Sequence, residues 1–227
     1  MTAITTLLFD LDGTLIDSVP DLALALNNTL QDNGLPTYSE STVRNWVGNG
    51  ARVLLQRGLS GSTKISDNIA AQNSYVDTLL VQFLAHYNKT VCSASTLYDG
   101  VHQTLITLKE SGYTLGLVTN KPQDFIQPIL THYLLDNVFG VTVGGDTLKQ
   151  KKPDAAPLLY ACEKLNAEPQ NCVMVGDSKN DILAAKAANM RSIGLTYGYN
   201  YGEDIGLCEP RWVCNHFNDI LDVLKTN

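Results

Sequence analysis

The sequence predicts an α/β fold in which a doubly wound, parallel, Rossmann-like sheet carries an inserted α-helical cap. Three observations lead to this prediction. Short apolar runs recur along the chain and end abruptly in turn residues, as strands buried in a parallel sheet do. Helical patterns separate most of these runs, which is typical of alternating strands and helices. One long segment after the first run shows only helical periodicity, which indicates an insertion.

The apolar runs are the predicted strands. They are short, lack alternation and are each followed by a polar or glycine-containing turn; they cover residues 4–9, 114–118, 172–175 and 192–195. A fifth run over residues 138–143 is a weaker candidate because Gly140 interrupts it. Ligands of such sheets bind at the carboxyl ends of the strands, so the turns after these runs are where we expect a site.

Helical patterns follow the strands. The helix predicted over residues 101–111 should stop at Gly112, because glycine readily adopts the left-handed conformation that ends a helix. Further helices are predicted over residues 122–135, 155–165 and 181–188. Each is long enough to cover one face of the sheet.

The segment from residue 18 to residue 94 is the predicted cap. It shows helical periodicity throughout, apart from a polar stretch over residues 60–74 that we interpret as a loop. We therefore expect a core made of residues 1–17 and 95–227 and a helical cap made of residues 18–94. A small helical unit beside the end of a strand is well situated to act as a lid.

Charge and composition exclude several classes of function. The chain has 227 residues and a net charge of −7, so no basic surface is available for nucleic acid or an anionic membrane. It has no apolar stretch that could span a bilayer and no signal-peptide pattern at its start, which predicts a cytoplasmic protein. Five cysteines without a C-x-x-C pair are expected to be mainly buried thiols. We expect a monomer or weak homo-oligomer that acts on a small molecule.

Acidic residues lie at two predicted strand ends. Asp10 and Asp12 are separated by one residue, and Gly13 permits a sharp turn that would direct both toward one crevice. Asp177 follows another strand, within GDSKND, and Asp181 comes one helical turn later. If the two strands are neighbours, Asp10, Asp12 and Asp177 form an oxygen-rich cluster that suits Mg²⁺. Asp181 suits a helix start and could also hold a metal-bound water.

A hydroxyl, an amide and an ammonium are candidates for binding a phosphoryl group. Thr119 and Asn120 leave the second predicted strand of the core, and a basic stretch ends in Lys151 and Lys152. Such groups can stabilise the charge that moves during phosphoryl transfer. Charge alone does not choose between the two lysines.

These motifs together resemble the haloacid dehalogenase superfamily. The matching features are DLDGT at residues 10–14, the strand exit at Thr119, Lys152 directly before a proline, and GDSKND at residues 176–181, in the same order. The match selects Lys152 because the lysine of that family's motif precedes proline. The helical insertion is similar to the superfamily's first type of cap.

The resemblance implies a mechanism and a set of site residues. Asp10 would attack phosphorus, and Asp12 would protonate the leaving group and then activate water. Since a halide needs no proton and an alkoxide does, Asp12 favours a phosphatase or mutase over a dehalogenase. Mg²⁺ would be bound by Asp10, Asp177 and the backbone carbonyl of Asp12. The other implied residues are phosphate-binding or supporting: Thr119, Asn120 and Lys152 in the first group, Thr14 and Asp181 in the second.

Within the superfamily, the sequence is most similar to the bacterial phosphoglycolate phosphatase family. The similar segments are WVGNGA at 46–51, LVTNKP at 117–122, GGD at 144–146 and GLTYGYNYGE at 194–203. This resemblance implies hydrolysis of 2-phosphoglycolate. The alternatives are a sugar phosphomutase of the β-phosphoglucomutase type, a broader phosphatase of small phosphate esters and, less favoured, a binding module without catalysis.

The glycine-rich cap loop is the candidate specificity element. Amides around Gly48, Asn49 and Gly50, at the start of a predicted helix, could meet the glycolate carboxylate. Alternatively, the glycines only permit a turn, and the sequence leaves both interpretations open. The tyrosines of the 194–203 segment are expected to pack against a loop or the cap hinge: Tyr197, Tyr199 and Tyr201.

Overall fold

The centre of the protein is a six-stranded parallel sheet. The structure, a computed structural model, describes residues 3–225. The strands are β1 (Thr6–Phe9), β4 (Thr114–Val118), β5 (Val141–Val143), β6 (Cys172–Gly176), β7 (Arg191–Leu195) and β8 (Trp212–Cys214), in the spatial order β5-β4-β1-β6-β7-β8. Every neighbouring pair is parallel, so the predicted parallel α/β fold is confirmed.

The register of the central strands brings their ends together. Phe9 at the end of β1 pairs with Leu117 of β4 on one side and with Val175 of β6 on the other. All four residues of β1 are buried, because apolar side chains on both faces of a central strand are covered by helices. The turns after β1, β4 and β6 therefore open at one edge of the sheet.

Within residues 3–225, five helices flank the sheet. They are α6 (Val101–Glu110), α7 (Ile126–His132), α8 (Ala156–Leu165), α9 (Lys179–Ala187) and α10 (Asp219–Lys225). The chain turns after α6 at Gly112, whose φ is +88°, as predicted. α7 is shorter than predicted, since a short 3-10 helix, Gln123–Phe125, precedes it. α9 begins two residues earlier than predicted, at Lys179.

The sequence analysis did not predict the last strand, β8, or the last helix, α10. β8 has only three residues, Trp212–Cys214, and an apolar run that short does not indicate a strand. The fifth strand is also shorter than predicted, because pairing begins at Val141, after Gly140. A side chain at Gly140 would meet Leu165 of α8, which explains a glycine at that position.

The helical segment lies between two very short strands. β2 (Ile16–Asp17) and β3 (Thr96–Leu97) pair antiparallel and enclose α1 (Val19–Asp32), α2 (Glu40–Arg44), α3 (Ala51–Ser60), α4 (Asp67–Ala71) and α5 (Asn73–Thr90). The prediction of one loop over residues 60–74 is wrong. Ser66 caps the short helix α4 by accepting a hydrogen bond from the Ile69 amide, and α5 already begins at Asn73.

Candidate active site

The turn after β1 holds two of the predicted site residues. Gly13 has a φ of +87°, and its amide donates to the Ile16 carbonyl at 2.8 Å, which folds the chain back sharply after Asp12. A side chain on residue 13 would collide with the Asp177 carboxylate. Glycine at this position therefore lets the β1 turn approach the end of β6.

Three buried carboxylates meet at this edge of the sheet. Asp10, Asp177 and Asp181 each offer one oxygen, and these oxygens lie within 4.8 Å of one another. Burial raises the pKa of Asp10 to about 6, with Lys152 opposing the shift and Asp181 adding to it. Burial, followed by repulsion from Asp181 and Asp10, raises the pKa of Asp177 to about 8. The protein alone thus resists full ionisation of this cluster.

Neighbouring groups fix the orientation of Asp177. Its Oδ1 accepts a hydrogen bond from Thr14 Oγ1 and its Oδ2 accepts one from the Tyr199 amide, both at 2.8 Å. Thr14 therefore connects the β1 turn to the end of β6. A hydrogen bond from Thr14 to Asp177 is the kind of contact expected of a residue that supports the site.

Asp181 has a local structural task as well as its place in the cluster. Its Oδ2 accepts hydrogen bonds from the Ser178 amide at 3.1 Å and from Ser178 Oγ at 2.9 Å, within the capping box that starts α9. Its Oδ1 accepts from Lys152 Nζ at 2.6 Å. Both carboxylate oxygens are thus already engaged by the protein.

The cluster fits a hard divalent cation. Asp10 Oδ1 is buried, and its neighbour is the ammonium of Lys152 at 2.9 Å rather than an amide or hydroxyl donor. Carboxylate oxygens in this number and proximity are the donors that such cations prefer. A cation there would also offset the burial and the repulsion between carboxylates that together raise the pKa values of Asp10 and Asp177.

Lys152 is the lysine that reaches the carboxylates. Its buried Nζ lies 2.9 Å from Asp10 Oδ1 and donates to the Val118 carbonyl at 2.7 Å. Lys151 is exposed, so the structure separates two lysines that charge alone could not. Burial by itself would lower the pKa of Lys152, but the carboxylates of Asp10 and Asp181 outweigh it and the pKa is raised.

Asn120 positions the lysine loop. Its Oδ1 accepts from the Lys152 amide, and its Nδ2 donates to the Lys152 carbonyl, both at 3.0 Å. The same Nδ2 donates to the carbonyl of Gly48 in the cap, also at 3.0 Å. The Asn120 side chain thus links the β4 turn, the lysine loop and the cap, and direct phosphate binding by it stays a prediction. Thr119 is buried beside it, and its hydroxyl accepts from the Lys121 amide at 3.3 Å.

Lys121 is a site residue that the sequence analysis missed. Its Nζ donates to Asp12 Oδ1 at 2.9 Å, and its side chain is 2% exposed. The ammonium also lies 4.7 Å from the centre of the Tyr87 ring on α5. Burial alone would lower the pKa of Lys121, but Asp12 outweighs it and the pKa is raised. In the sequence, the lysine within TNKP cannot be distinguished from an ordinary loop residue, and only the structure shows its contact with Asp12.

The glycine-rich cap loop lies directly on the core. The carbonyl of Gly48 accepts from Asn180 Nδ2 at 3.1 Å as well as from Asn120. Gly50 caps α3 with a φ of +85°, and a side chain there would come within 2.8 Å of the Asn120 carbonyl oxygen. Gly48 and Gly50 therefore permit a close approach between cap and core, and contact with a substrate carboxylate stays a prediction.

The three tyrosines after β7 pack against the β1 turn and the cap, as expected. Tyr197 Oη donates to the Thr14 carbonyl at 2.7 Å, and Tyr199 Oη donates to Asp17 at 2.8 Å, beside β2. Tyr201 Oη donates to Asn49 Oδ1 at 2.8 Å. Asn49 thus contributes to the contact between cap and core, a role that its position in the sequence did not indicate.

A pocket lies between the cap and the aspartates. It is lined by Asp10, Asp12, Thr119, Asn120 and Lys121 from the core side and by Gly48, Gly50, Leu54, Phe83 and Tyr87 from the cap side, among others. Polar groups lie at its floor and mostly apolar groups above them. This arrangement suits a small ligand with one charged end on the aspartates.

Comparisons with known proteins agree with this geometry. The model of the haloacid dehalogenase-like hydrolase family matches residues 7–195. A phosphoglycolate phosphatase of Colwellia psychrerythraea is 55% identical over 219 residues, which are 96% of each chain. One of Haemophilus influenzae is 44% identical over 95% of this chain and 96% of its own. The crystal structure of a predicted phosphoglycolate phosphatase from Haemophilus somnus superposes with a TM-score of 0.89 at 42% identity, over 98% of this chain and 99% of that one.

Proposed function

This chain belongs to the haloacid dehalogenase-like hydrolase family, and on that premise we propose that it hydrolyses 2-phosphoglycolate to glycolate and phosphate. Relatives named phosphoglycolate phosphatase match almost the whole chain, which makes the enzyme a phosphoric monoester hydrolase. The observation that carries the proposal is the meeting of Asp10, Asp12 and Lys152 with the Asp177 cluster beneath the cap.

Asp10 is the nucleophile in this proposal. A carboxylate oxygen of Asp10 attacks phosphorus, the bond between phosphorus and the glycolate oxygen breaks, and an aspartyl-phosphate forms. Lys152 lies 2.9 Å from Asp10 Oδ1, where its positive charge favours the ionised nucleophile and can bind an oxygen of the incoming phosphoryl group. Thr119 and Asn120, at the end of β4, complete the proposed phosphate-binding set.

Asp12 is the residue that gives and takes protons in the two steps of this proposal. It gives one to the departing glycolate oxygen and then takes one from the water that attacks the aspartyl-phosphate, which releases phosphate and restores Asp10. Its Oδ1 is engaged by Lys121, so we assign the exchange to Oδ2. Its place two residues after the nucleophile puts it on the same turn, close to the leaving group.

We assign the metal site to Mg²⁺. Asp10, Asp177 and the backbone carbonyl of Asp12 would hold it, with Asp181 beside them and Thr14 orienting Asp177. When bound, the ion supplies positive charge that offsets the repulsion between a carboxylate nucleophile and an anionic phosphate ester. The observation that supports this assignment is that oxygens of three buried carboxylates lie within 4.8 Å of one another.

Helix hydropathy and net charge support a proposal for where the enzyme acts and what it binds. None of the helices within residues 3–225 combines the length and hydropathy that crossing a bilayer requires. With a net charge of −7, the chain has no general attraction for nucleic acid. We propose a cytoplasmic monomer or weak homo-oligomer that acts on a small phosphate ester, with residues 18–94 serving as the cap.

A substrate panel tests the proposal. The measurement is kcat/KM with Mg²⁺ for 2-phosphoglycolate, β-glucose 1-phosphate and other small phosphate esters, using D10N as the control that lacks the nucleophile. We expect clear preference for 2-phosphoglycolate and no turnover by D10N. Preference for β-glucose 1-phosphate with formation of a bisphosphate would identify a mutase, equal rates on many esters would identify a broad phosphatase, and no phosphate release at all would indicate a binding module.

A further inference from the structure

The cap side of the pocket beside the nucleophile is apolar apart from Tyr87, and Lys121 borders the pocket from the core side. Leu54, Phe83 and Leu84 line the cap side. Among the described residues that line the pocket, Lys121 is the one basic side chain and Tyr87 the one phenol. A substrate carboxylate that enters such a space loses its hydration, which is costly unless a protein group pairs with it.

Lys121 can donate a further hydrogen bond. Its ammonium carries three protons, and one contact goes to Asp12 Oδ1 at 2.9 Å. On another side it faces Tyr87, 4.7 Å from the ring centre, and also interacts with the phenol oxygen, so two of its three donor positions are accounted for. A second carboxylate can therefore receive a charge-assisted hydrogen bond from Lys121 while the contact with Asp12 persists.

The hydroxyl proton of Tyr87 has no acceptor among the described residues. Its Oη is buried, and the group that acts on it is the Lys121 ammonium, which can donate but cannot accept. Burial raises the pKa of Tyr87 to about 12, so the phenol remains a neutral donor near neutral pH. A buried hydroxyl proton without an acceptor is unfavourable, and a ligand oxygen that accepts it would satisfy it.

We propose that Lys121 and Tyr87 bind the carboxylate of 2-phosphoglycolate and thereby set the preference for an ester with an anionic tail. The inference rests on the proposed function. Lys121 comes from the turn after β4 and Tyr87 from α5, so a carboxylate bound by both joins the core to the helical segment above it. This assigns the specificity contact to side chains rather than to the backbone amides near Gly50.

Two esters and three variants test the inference. The esters are 2-phosphoglycolate and 2-hydroxyethyl phosphate, which has a hydroxymethyl group in place of the carboxylate. The variants are K121M, Y87F and, as a matched control, K151M, which removes a positive charge from an exposed lysine of the nearby lysine loop. The quantity measured is the ratio of kcat/KM for the anionic ester to that for the neutral one. Because both esters need Asp12, any effect that Lys121 transmits through Asp12 cancels in the ratio.

We expect the ratio to fall by about tenfold or more in K121M, as loss of a charge-assisted hydrogen bond predicts, by a smaller factor in Y87F, and not at all in K151M. Equal losses on both esters in K121M and Y87F, or an equal fall of the ratio in K151M, would overturn the inference. Y87F removes a single oxygen, so it gives an answer even if K121M does not fold. A wild type that hydrolyses other esters but not 2-phosphoglycolate would instead refute the proposed function.

Discussion

Without a divalent cation, the protein should lose stability as the pH rises from about 4 to about 8. The reason lies in Asp177, which is buried against Asp10 and Asp181. Its pKa is raised from the usual 3.8 to about 8, and that of Asp10 to about 6. The folded state therefore holds protons that the unfolded chain has already released, and the free energy of unfolding falls as the pH increases through this window.

The size of the loss follows from the shift. For Asp177 alone, a rise from 3.8 to about 8 corresponds to roughly 6 kcal/mol, at about 1.4 kcal/mol per pH unit. Relaxation and water entry reduce such penalties in real proteins, so we expect a measured loss on the order of 2–3 kcal/mol. Mg²⁺ binds the ionised carboxylates and should restore most of this stability at pH 8 and little of it at pH 5.

Urea unfolding between pH 5 and pH 8.5, in chelator and in Mg²⁺, measures the effect. The matched control is D177N, which keeps the shape of the side chain and cannot ionise. We expect the chelator curve of D177N to be much flatter than that of the wild type. A metal-free wild type whose stability rises over this range, or a D177N curve with the same slope, would refute the account of the cluster.

Two further predictions concern the turns around the site. G50V should lower kcat/KM for charged and neutral esters alike, by roughly tenfold or more, since its side chain would meet the Asn120 carbonyl and hold the cap away from the core. Its control is G112V, because Gly112 has a similar φ of +88° with nothing within 4 Å; selective loss on 2-phosphoglycolate in G50V would instead support amide contacts with the carboxylate. T14V should weaken Mg²⁺ binding by about tenfold or more, because Asp177 loses its hydroxyl partner, and T14S should retain it. Titration of Tm with Mg²⁺ measures this, and an unchanged affinity in T14V would contradict the orienting role.

The predictable part of the fold was the part that buries apolar runs. β4 was predicted to the residue, and β6 and β7 to within one residue, because their side chains are apolar on both faces. β8 and α10 were missed because they are short, three and seven residues, and so few residues show no clear period. The loop over residues 60–74 was wrong because α4 depends on a single serine cap rather than on an apolar stripe, and none of its residues is buried.

The residues of the site likewise fall into those that the sequence could bring together and those that it could not. The sequence predicted that Asp10, Asp12 and Asp177 would meet if their strands were neighbours. The strands β1 and β6 are neighbours, but the observed carboxylate cluster contains Asp181 with Asp10 and Asp177, while Asp12 Oδ1 is paired with Lys121. Lys121 and Tyr87 could not be brought together from the sequence, because their meeting depends on how α5 packs over the turn after β4. No spacing rule within one sequence relates two residues from such distant segments.

The most direct test of the central claim is to capture the phosphoryl group on Asp10. Wild-type protein turning over 2-phosphoglycolate with Mg²⁺ is quenched with borohydride, which reduces an acyl phosphate, and the modified residue is located by mass spectrometry. We predict reduction at Asp10, dependent on both substrate and Mg²⁺, and no phosphate release by D10N. Phosphate release by D10N at the wild-type rate, or a reduced residue elsewhere in the chain, would contradict the account.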